Sequence, residues 1–272
     1  AKIRLCLRSL EIAKTWKAEH GSDIEWTTGG YSFVAYTPRE EKLLRDLLVT
    51  QKAYGLDIDW LDGRDILSVI PRLNQSGLRG GTLSPGDGHC SPLLFNHAMY
   101  EEAVRAGAEF RFGETVNSIE TRSGRVRGAS NDRATYAAHL LVNAAGAWAH
   151  EVGLLVGADH SVRPDSHEGG ITEPVARFLG PMVVDIRPAP GSANYYFYQL
   201  ATGQVVFCIT PSPNIWGFDR RETSAFLPLV AKRMVDLMPS LANLRVRRTW
   251  RGLYPMTPDG SPLVGWAGET GG

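Results

Sequence analysis

The sequence has few cysteines and no long apolar run, and both shortages exclude whole classes of protein. Its three cysteines, Cys6, Cys90 and Cys208, form no C-x-x-C pair and have no histidine at metal-ligand spacing, so neither a disulfide framework nor a metal site is expected. No apolar stretch approaches the roughly 20 residues that span a bilayer. The chain of 272 residues carries 29 basic and 29 acidic side chains, and this balance gives no general attraction to nucleic acid. We expect a cytoplasmic globular protein without a transmembrane segment.

The G-x-G-x-x-G fingerprint of dinucleotide-binding sites is also missing. In its place the chain has a second kind of strand-helix junction, NAAGAWA, in which Ala144, Ala145 and Gly146 carry almost no side chain. Such residues let the backbone approach a ligand closely, and the start of the following helix would favour negative charge. Read alone, the junction fits a phosphate-bearing ligand and plain strand-helix packing equally well.

Helices and strands alternate along the chain without repeats, which predicts an α/β or α+β fold with a mixed sheet. Strands are predicted at Tyr31–Pro38 and on both sides of Thr202-Gly203, and Asp62 is predicted to cap a short helix. The segment GGTLSPGDGHCSP is rich in turn residues and shows no helical or strand period. Further predictions are a helix in LLFNHAMYEEAVRAGA, a strand in AEFRFG, a hairpin turning at Ser123-Gly124, a return strand in TYAAHLLVNAAG, and a helix in ETSAFLPLVAKRMVDLMPSL.

Three motifs in consistent order resemble one family. They are DGH with a following proline (Asp87 to Pro92), NAAGAWA, and WRGLYPMTPDGSPLVG (Trp250 to Gly265) about a hundred residues later. Together they resemble the FAD-dependent D-amino acid oxidase superfamily, in the branch of sarcosine oxidase, glycine oxidase and the β-subunit of dye-linked proline dehydrogenase. The resemblance covers nearly all of the chain. It implies that the fingerprint segment would precede residue 1 and that a glycine-rich segment would follow Gly272, so the chain is read as a partial one.

The resemblance implies two interleaved domains of the FAD-linked reductase type. The FAD-binding domain would comprise 1–22, 84–162 and 249–272, and the substrate-binding domain 23–83 and 163–248. Val116 resembles the residue whose backbone meets the adenine. Other predicted FAD contacts lie near the pyrophosphate and the flavin ring: Ala144, Ala145, Gly146, Trp148, Gly252 and Pro255. Covalent members have a cysteine where this chain has Arg251-Gly252, so non-covalent FAD is implied.

The resemblance also suggests four catalytic candidates. Arg251 lies at the flavin-facing turn, where a guanidinium would hold a carboxylate through two hydrogen bonds, although a surface arginine at a strand end is the alternative. Tyr196 and Tyr198 lie where the family places a tyrosine over the substrate, and a packed sheet face is the alternative. His167 precedes a strand that approaches the flavin in relatives, and its imidazole would assist amine deprotonation. A loop histidine without that role is the competing interpretation, and His89 is interpreted as a local hydrogen-bonding residue.

The favoured function is the FAD-dependent oxidation of a C–N bond in an amino acid or secondary amine by hydride transfer, with a small amine substrate and a possible partner subunit or electron acceptor. A non-catalytic or cofactor-free subunit of a flavoprotein complex is the alternative. A nicotinamide-dependent dehydrogenase is disfavoured. It would explain the NAAGAWA junction but not the motif WRGLYPMTPDGSPLVG.

Overall fold

The computed structural model describes residues 2–267, which divide into two compact units. Unit 1 contains the residues up to 108 together with 167–213 and 221–251, and unit 2 contains 109–166, 214–220 and the residues from 252 onward. The units are defined by compactness, so the functional ranges given above stay a prediction.

The chain forms six α-helices and thirteen strands in alternating order within the described residues. The helices are α1 (Lys2–His20), α2 (Pro38–Ala53), α3 (Gly63–Val69), α4 (Pro92–Arg105), α5 (Ala149–Leu154) and α6 (Phe226–Leu237). The strands are β1 (Thr27–Thr28), β2 (Tyr31–Ala35), β3 (Asp59–Asp62), β4 (Gly80–Ser84), β5 (Gly88–His89), β6 (Ser118–Arg122), β7 (Arg125–Ser130), β8 (Thr135–Ala137), β9 (Arg163–Thr172), β10 (Met182–Asp185), β11 (Gly191–Gln199), β12 (Val205–Ser212) and β13 (Val246–Met256).

Eight of the strands form one large mixed sheet in the order β13-β9-β12-β11-β10-β2-β4-β3. β10 and β2 run parallel, whereas β10-β11, β11-β12 and β12-β9 are antiparallel. The predicted α/β class with a mixed sheet is therefore confirmed. The predicted helix cap at Asp62 is also confirmed. The Asp62 side chain accepts hydrogen bonds from the backbone of Arg64 and Asp65 at the start of α3.

The core of unit 1 lies between one face of the large sheet and α6. Phe197 and Phe207 are opposite each other on β11 and β12, and both are almost completely buried. The Phe207 ring stacks on that of Phe226, with 6.2 Å between the ring centroids. Val230 and Met234 continue the contact one and two turns along α6, as the 3.6-residue period of the predicted helix requires. This packing fixes which face of β11 turns toward the core.

The segment GGTLSPGDGHCSP, predicted to be rich in turns and to have no strand period, contains β4 and β5. β4 pairs with β2 on one side and with β3 on the other. A Cβ atom added at Gly81 would lie 2.6 Å from the backbone oxygen of Phe33, so a small residue is what allows the strands to approach. β4 forms because it pairs with a strand on each side, although its own sequence shows no apolar alternation.

Two strands predicted in unit 2 do not form as expected. The segment AEFRFG is not a strand, and TYAAHLLVNAAG is a strand only at Thr135–Ala137. Phe112 and Val142 from these two segments are 75% and 78% exposed, and neither belongs to a described strand. A β-branched apolar run becomes a strand only when another strand pairs with it. The hairpin between β6 and β7 forms as predicted, with Ser123 and Gly124 both at positive φ.

Candidate active site

Tyr196 and Tyr198 lie together on the face of the large sheet that turns away from α6. Residues alternate between the two faces along β11, and Tyr195, Phe197 and Gln199 are buried on the core side. Tyr196 and Tyr198 are only partly buried. We call the side of the sheet on which they lie the tyrosine face. The structure thus brings two predicted catalytic residues onto one surface.

The hydroxyl of Tyr196 is engaged by a neighbouring thiol on the tyrosine face. Cys208 is the register partner of Tyr196 on β12, and the two side chains form a hydrogen bond. The Cys208 thiol also donates to the backbone oxygen of Glu168 over 3.0 Å. Burial raises the pKa of Cys208, and the bond to Tyr196 partly opposes that shift. Cys208 is therefore a neutral thiol that orients the Tyr196 hydroxyl.

A histidine packs against Tyr198 on the same face. The ring centroids of His89 and Tyr198 are 4.7 Å apart. Burial lowers the pKa of His89 and raises that of Tyr198. Sequence reasoning missed this pair because β5 was read as a turn. The signal available was the position of His89 directly ahead of the α4 cap at Ser91.

His167 and Trp250 extend the tyrosine face across β9 and β13. Gly169 is the register partner of Cys208, and a Cβ atom at Gly169 would lie 3.0 Å from the indole of Trp250. Trp250 therefore covers Gly169 on this face. His167 lies two residues before Gly169 on the same strand, so its side chain leaves the sheet on the same side. Its side chain is buried, with the residue 8% exposed.

Arg251 makes a different contact. It follows Trp250 on β13, and the alternation of a strand directs successive side chains to opposite faces. One guanidinium nitrogen of Arg251 donates to the backbone oxygen of Arg221 over 3.0 Å. The structure thus groups Tyr196, Tyr198 and His167, whereas Arg251 is directed to the other side of the strand. Its predicted role in binding a carboxylate stays a prediction.

The predicted cofactor residues all lie in unit 2, where the NAAGAWA junction is an ordered turn. The Asn143 side chain donates to the backbone oxygen of Ala149 over 2.7 Å and accepts from the backbone N–H of Ala145. Gly146 has a φ of 55°, and a Cβ atom there would have no neighbour within 4 Å. The backbone of this turn is therefore open to approach. Trp148 is 45% exposed and stacks on Phe218.

The remaining cofactor candidates are also accessible. Val116, just before β6, is 43% exposed. Pro255 is exposed near the end of β13, and a Cβ atom at Gly252 would meet no atom within 4 Å. Small residues, open backbone and exposed apolar side chains are what a dinucleotide needs for close contact with its phosphates and rings.

Comparison with known proteins decides the family. A family profile described as FAD dependent oxidoreductase (DAO) matches residues 1–271. This chain belongs to the DAO family.

The most similar relatives include the hydrogen cyanide synthase subunit HcnC of Pseudomonas aeruginosa, which is 25% identical over 96% of this chain and 61% of its own length. Glycine oxidase of Geobacillus kaustophilus is 27% identical over 93% of this chain and 65% of its own length. The crystal structure of L-proline dehydrogenase from P. horikoshii superposes with a TM-score of 0.88 at 25% identity, covering 97% of this chain and 69% of that one. The chain therefore spans about six tenths of the length of these curated relatives.

Membership in the DAO family identifies FAD as the cofactor of the family. The open turn at Gly146 and the open strand at Gly252 fit a large planar and phosphate-bearing ligand, since neither position has a neighbour that would block it. The family also confirms the resemblance read from the three sequence motifs. Among residues 2–267, no helix combines the length and apolarity needed to cross a lipid bilayer.

Proposed function

We propose that this DAO-family protein oxidises the C–N bond of a small amino acid or secondary amine, of the sarcosine, glycine, proline or D-amino acid type. The observation that carries the proposal is the tyrosine face. It places two tyrosines, a buried histidine and a tryptophan on one side of a rigid sheet. Aromatic walls with a few polar groups are typical of small-molecule sites.

The chain's own side chains divide the work of binding and proton transfer. FAD, when bound, would supply the acceptor for the hydride of the carbon bonded to the amine nitrogen. His167 accepts the proton that leaves that nitrogen, so that a C=N bond forms, and water then hydrolyses the imine. Tyr196 and Tyr198 orient the substrate with their hydroxyls. The buried position of His167 keeps bulk water away from the group that receives the proton.

Unit 2 is proposed to hold FAD without a covalent bond. Val116 would meet the adenine, Ala144 to Gly146 and Trp148 would line the pyrophosphate, and Gly252 and Pro255 would lie by the flavin ring. The accessible backbone at Gly146 and Gly252 supports these roles. The electron acceptor of the complete protein would be either oxygen or a separate acceptor, such as a partner subunit.

The test is turnover by the complete protein loaded with FAD. We expect flavin absorbance in the visible blue and oxidation of at least one member of an amine panel, assayed with and without a dye acceptor. Tyr198→Phe should lower kcat/KM about tenfold because one hydrogen bond to the substrate is lost. The matched control is Tyr54→Phe, which changes an exposed tyrosine at the end of α2. A flavin-loaded protein that oxidises nothing on the panel would contradict the proposal.

A non-catalytic subunit of a flavoprotein complex is the second candidate. Two observations favour it: the relative HcnC is named as a subunit of its enzyme, and unit 2 exposes large apolar side chains such as Phe112 and Val142. Exposed apolar surface of this kind is typical of interaction sites. A complete protein that gains no flavin absorbance on reconstitution, yet co-purifies with a flavoprotein, would support this alternative and overturn the first.

A further inference from the structure

His89 is held in place by a framework that leaves its ring little freedom. β5 pairs with β1, and His89 is the register partner of Thr27. A Cβ atom at Gly88 would lie 2.3 Å from the backbone oxygen of Thr27, so glycine is what lets β5 lie against β1. On the other side, the backbone N–H of Ser91 donates to Ile24, and the Ser91 side chain caps α4. The backbone on both sides of His89 is therefore fixed.

The end of β11 that carries Tyr198 is fixed as well. Gln199 follows Tyr198 and is 1% exposed. Its side-chain oxygen accepts from the backbone N–H groups of Phe178 and Leu179, over 2.9 and 3.2 Å. Its nitrogen donates to the backbone oxygen of Gly203 over 2.9 Å. Gln199 thus fastens the end of β11 to the loop before β10 and to the β11-β12 turn, and this fixes the backbone next to Tyr198.

The two tyrosine hydroxyls of the tyrosine face have different surroundings. The hydroxyl of Tyr196 meets the thiol of Cys208. Within residues 2–267 the structure gives the Tyr198 hydroxyl no protein hydrogen bond, while its ring lies against His89. Tyr198 is therefore the tyrosine whose hydroxyl is open to a ligand, and His89 is the side chain that fixes its ring.

We propose that His89 is a positioning residue, which holds the Tyr198 ring so that the Tyr198 hydroxyl meets the carboxylate of the substrate on the tyrosine face. This inference rests on the proposed function. His89 acts through Tyr198 and contacts neither the reacting carbon nor the cofactor. A neutral imidazole suits this role, because the charged group that acts on His89 is the Arg177 guanidinium, which disfavours a second positive charge on the ring.

Substitutions at His89 and Tyr198 in the complete FAD-loaded protein test the inference. His89→Phe keeps an aromatic ring against Tyr198 and removes the ring nitrogens, whereas His89→Ala removes the ring itself. We expect His89→Ala to raise KM about tenfold, as for one lost hydrogen bond, with kcat changed by less than about threefold. His89→Phe should fall between the wild type and His89→Ala. The control is His97→Ala, because His97 is an exposed histidine of α4.

A double-mutant cycle supplies a readout that does not depend on turnover. Acetate binding, followed through the flavin absorbance, reports the carboxylate site alone. We expect Tyr198→Phe and His89→Ala each to weaken acetate binding, and the double variant to be no weaker than Tyr198→Phe by more than about twofold. Fully additive effects would overturn the positioning role. Histidine NMR adds a second measure: the signal of His89 should shift in Tyr198→Phe and that of His97 should not.

The outcomes separate the two proposals. If no amine is oxidised while the acetate cycle shows coupling between His89 and Tyr198, the proposed reaction fails and the positioning role stands. If amines are oxidised, Tyr198→Phe raises KM and His89→Ala leaves both KM and acetate binding unchanged, the positioning role fails and the proposed function stands.

Discussion

The two compact units differ in how they bury apolar side chains. Unit 1 contains the main hydrophobic cluster, which joins the large sheet to α6 through residues such as Phe197, Phe207 and Met234. Among the described residues of unit 2 the buried apolar residues are Ile119, Ala147, Ala158 and Val162, and many larger ones are exposed. The predicted catalytic residues lie on the unit with the large core, and the predicted cofactor residues lie on the other. The tyrosine face is therefore supported from behind by the hydrophobic core of unit 1.

The largest expected effect comes from removing a ring from the core of unit 1. Phe207→Ala should lower the free energy of unfolding by about 3–5 kcal/mol, since the ring is buried against Phe226 and its removal leaves a cavity. Phe112→Ala in unit 2 removes the same ring from a side chain that is 75% exposed. This substitution should change the free energy of unfolding by less than about 0.5 kcal/mol. Denaturant-induced unfolding followed by circular dichroism measures both. Equal losses would contradict the difference between the units.

Two adjacent glycines of β9 sharpen the comparison within unit 1. A Cβ atom at Gly170 would lie 2.4 Å from the Phe207 ring on the core side, so Gly170→Ala should cost about 1–3 kcal/mol through overpacking. Gly169 points to the tyrosine face, where a Cβ atom would lie 3.0 Å from the Trp250 indole. Gly169→Ala should therefore displace Trp250, alter the tryptophan fluorescence and raise KM, with a smaller loss of stability.

A reversed order of stability, with Gly169→Ala the more damaging, would show that Trp250 is packed more tightly than Phe207. An unchanged KM in Gly169→Ala would place Trp250 outside the substrate site.

The sequence predicts more of unit 1 than of unit 2, for physical reasons. The alternation in YYFY sets the two faces of β11, and the period of ETSAFLPLVAKRMVDL sets the buried side of α6, because both patterns depend on local geometry. β4 cannot be predicted from its own sequence, because its glycines favour a strand only when β2 and β3 lie beside it. The strands predicted around Phe112 and Val142 fail for the converse reason, as their apolar pattern has no neighbouring strand among the described residues. The contact of His89 with Tyr198 is not predictable from local sequence, because it joins residues more than a hundred positions apart.

The turn in unit 2 is expected to depend on one side chain. Asn143→Ala removes the hydrogen bond to the backbone oxygen of Ala149 and should lower the free energy of unfolding by about 0.5–1.5 kcal/mol. Because the turn at Gly146 is the proposed wall of the pyrophosphate, the same change should weaken FAD binding by about tenfold, measured by flavin titration of the apoprotein. Asn96→Ala, at an exposed position of α4, is the control. Unaltered FAD affinity in Asn143→Ala would remove the junction from the cofactor site.

The smallest effect concerns the pH dependence of stability in unit 1. Burial holds the pKa of His89 below its ordinary value, so the unfolded chain binds a proton at a higher pH than the folded one does. Stability contributed by the neutral imidazole is therefore complete above about pH 6.5 and is lost as the pH falls toward the lowered pKa. As the pH falls through this range, the unfolding free energy of the wild type should decrease relative to that of His89→Phe. A constant difference from pH 7.5 to pH 5 would mean that His89 titrates alike in both states, and its ring would then be more hydrated than its contact with Tyr198 indicates.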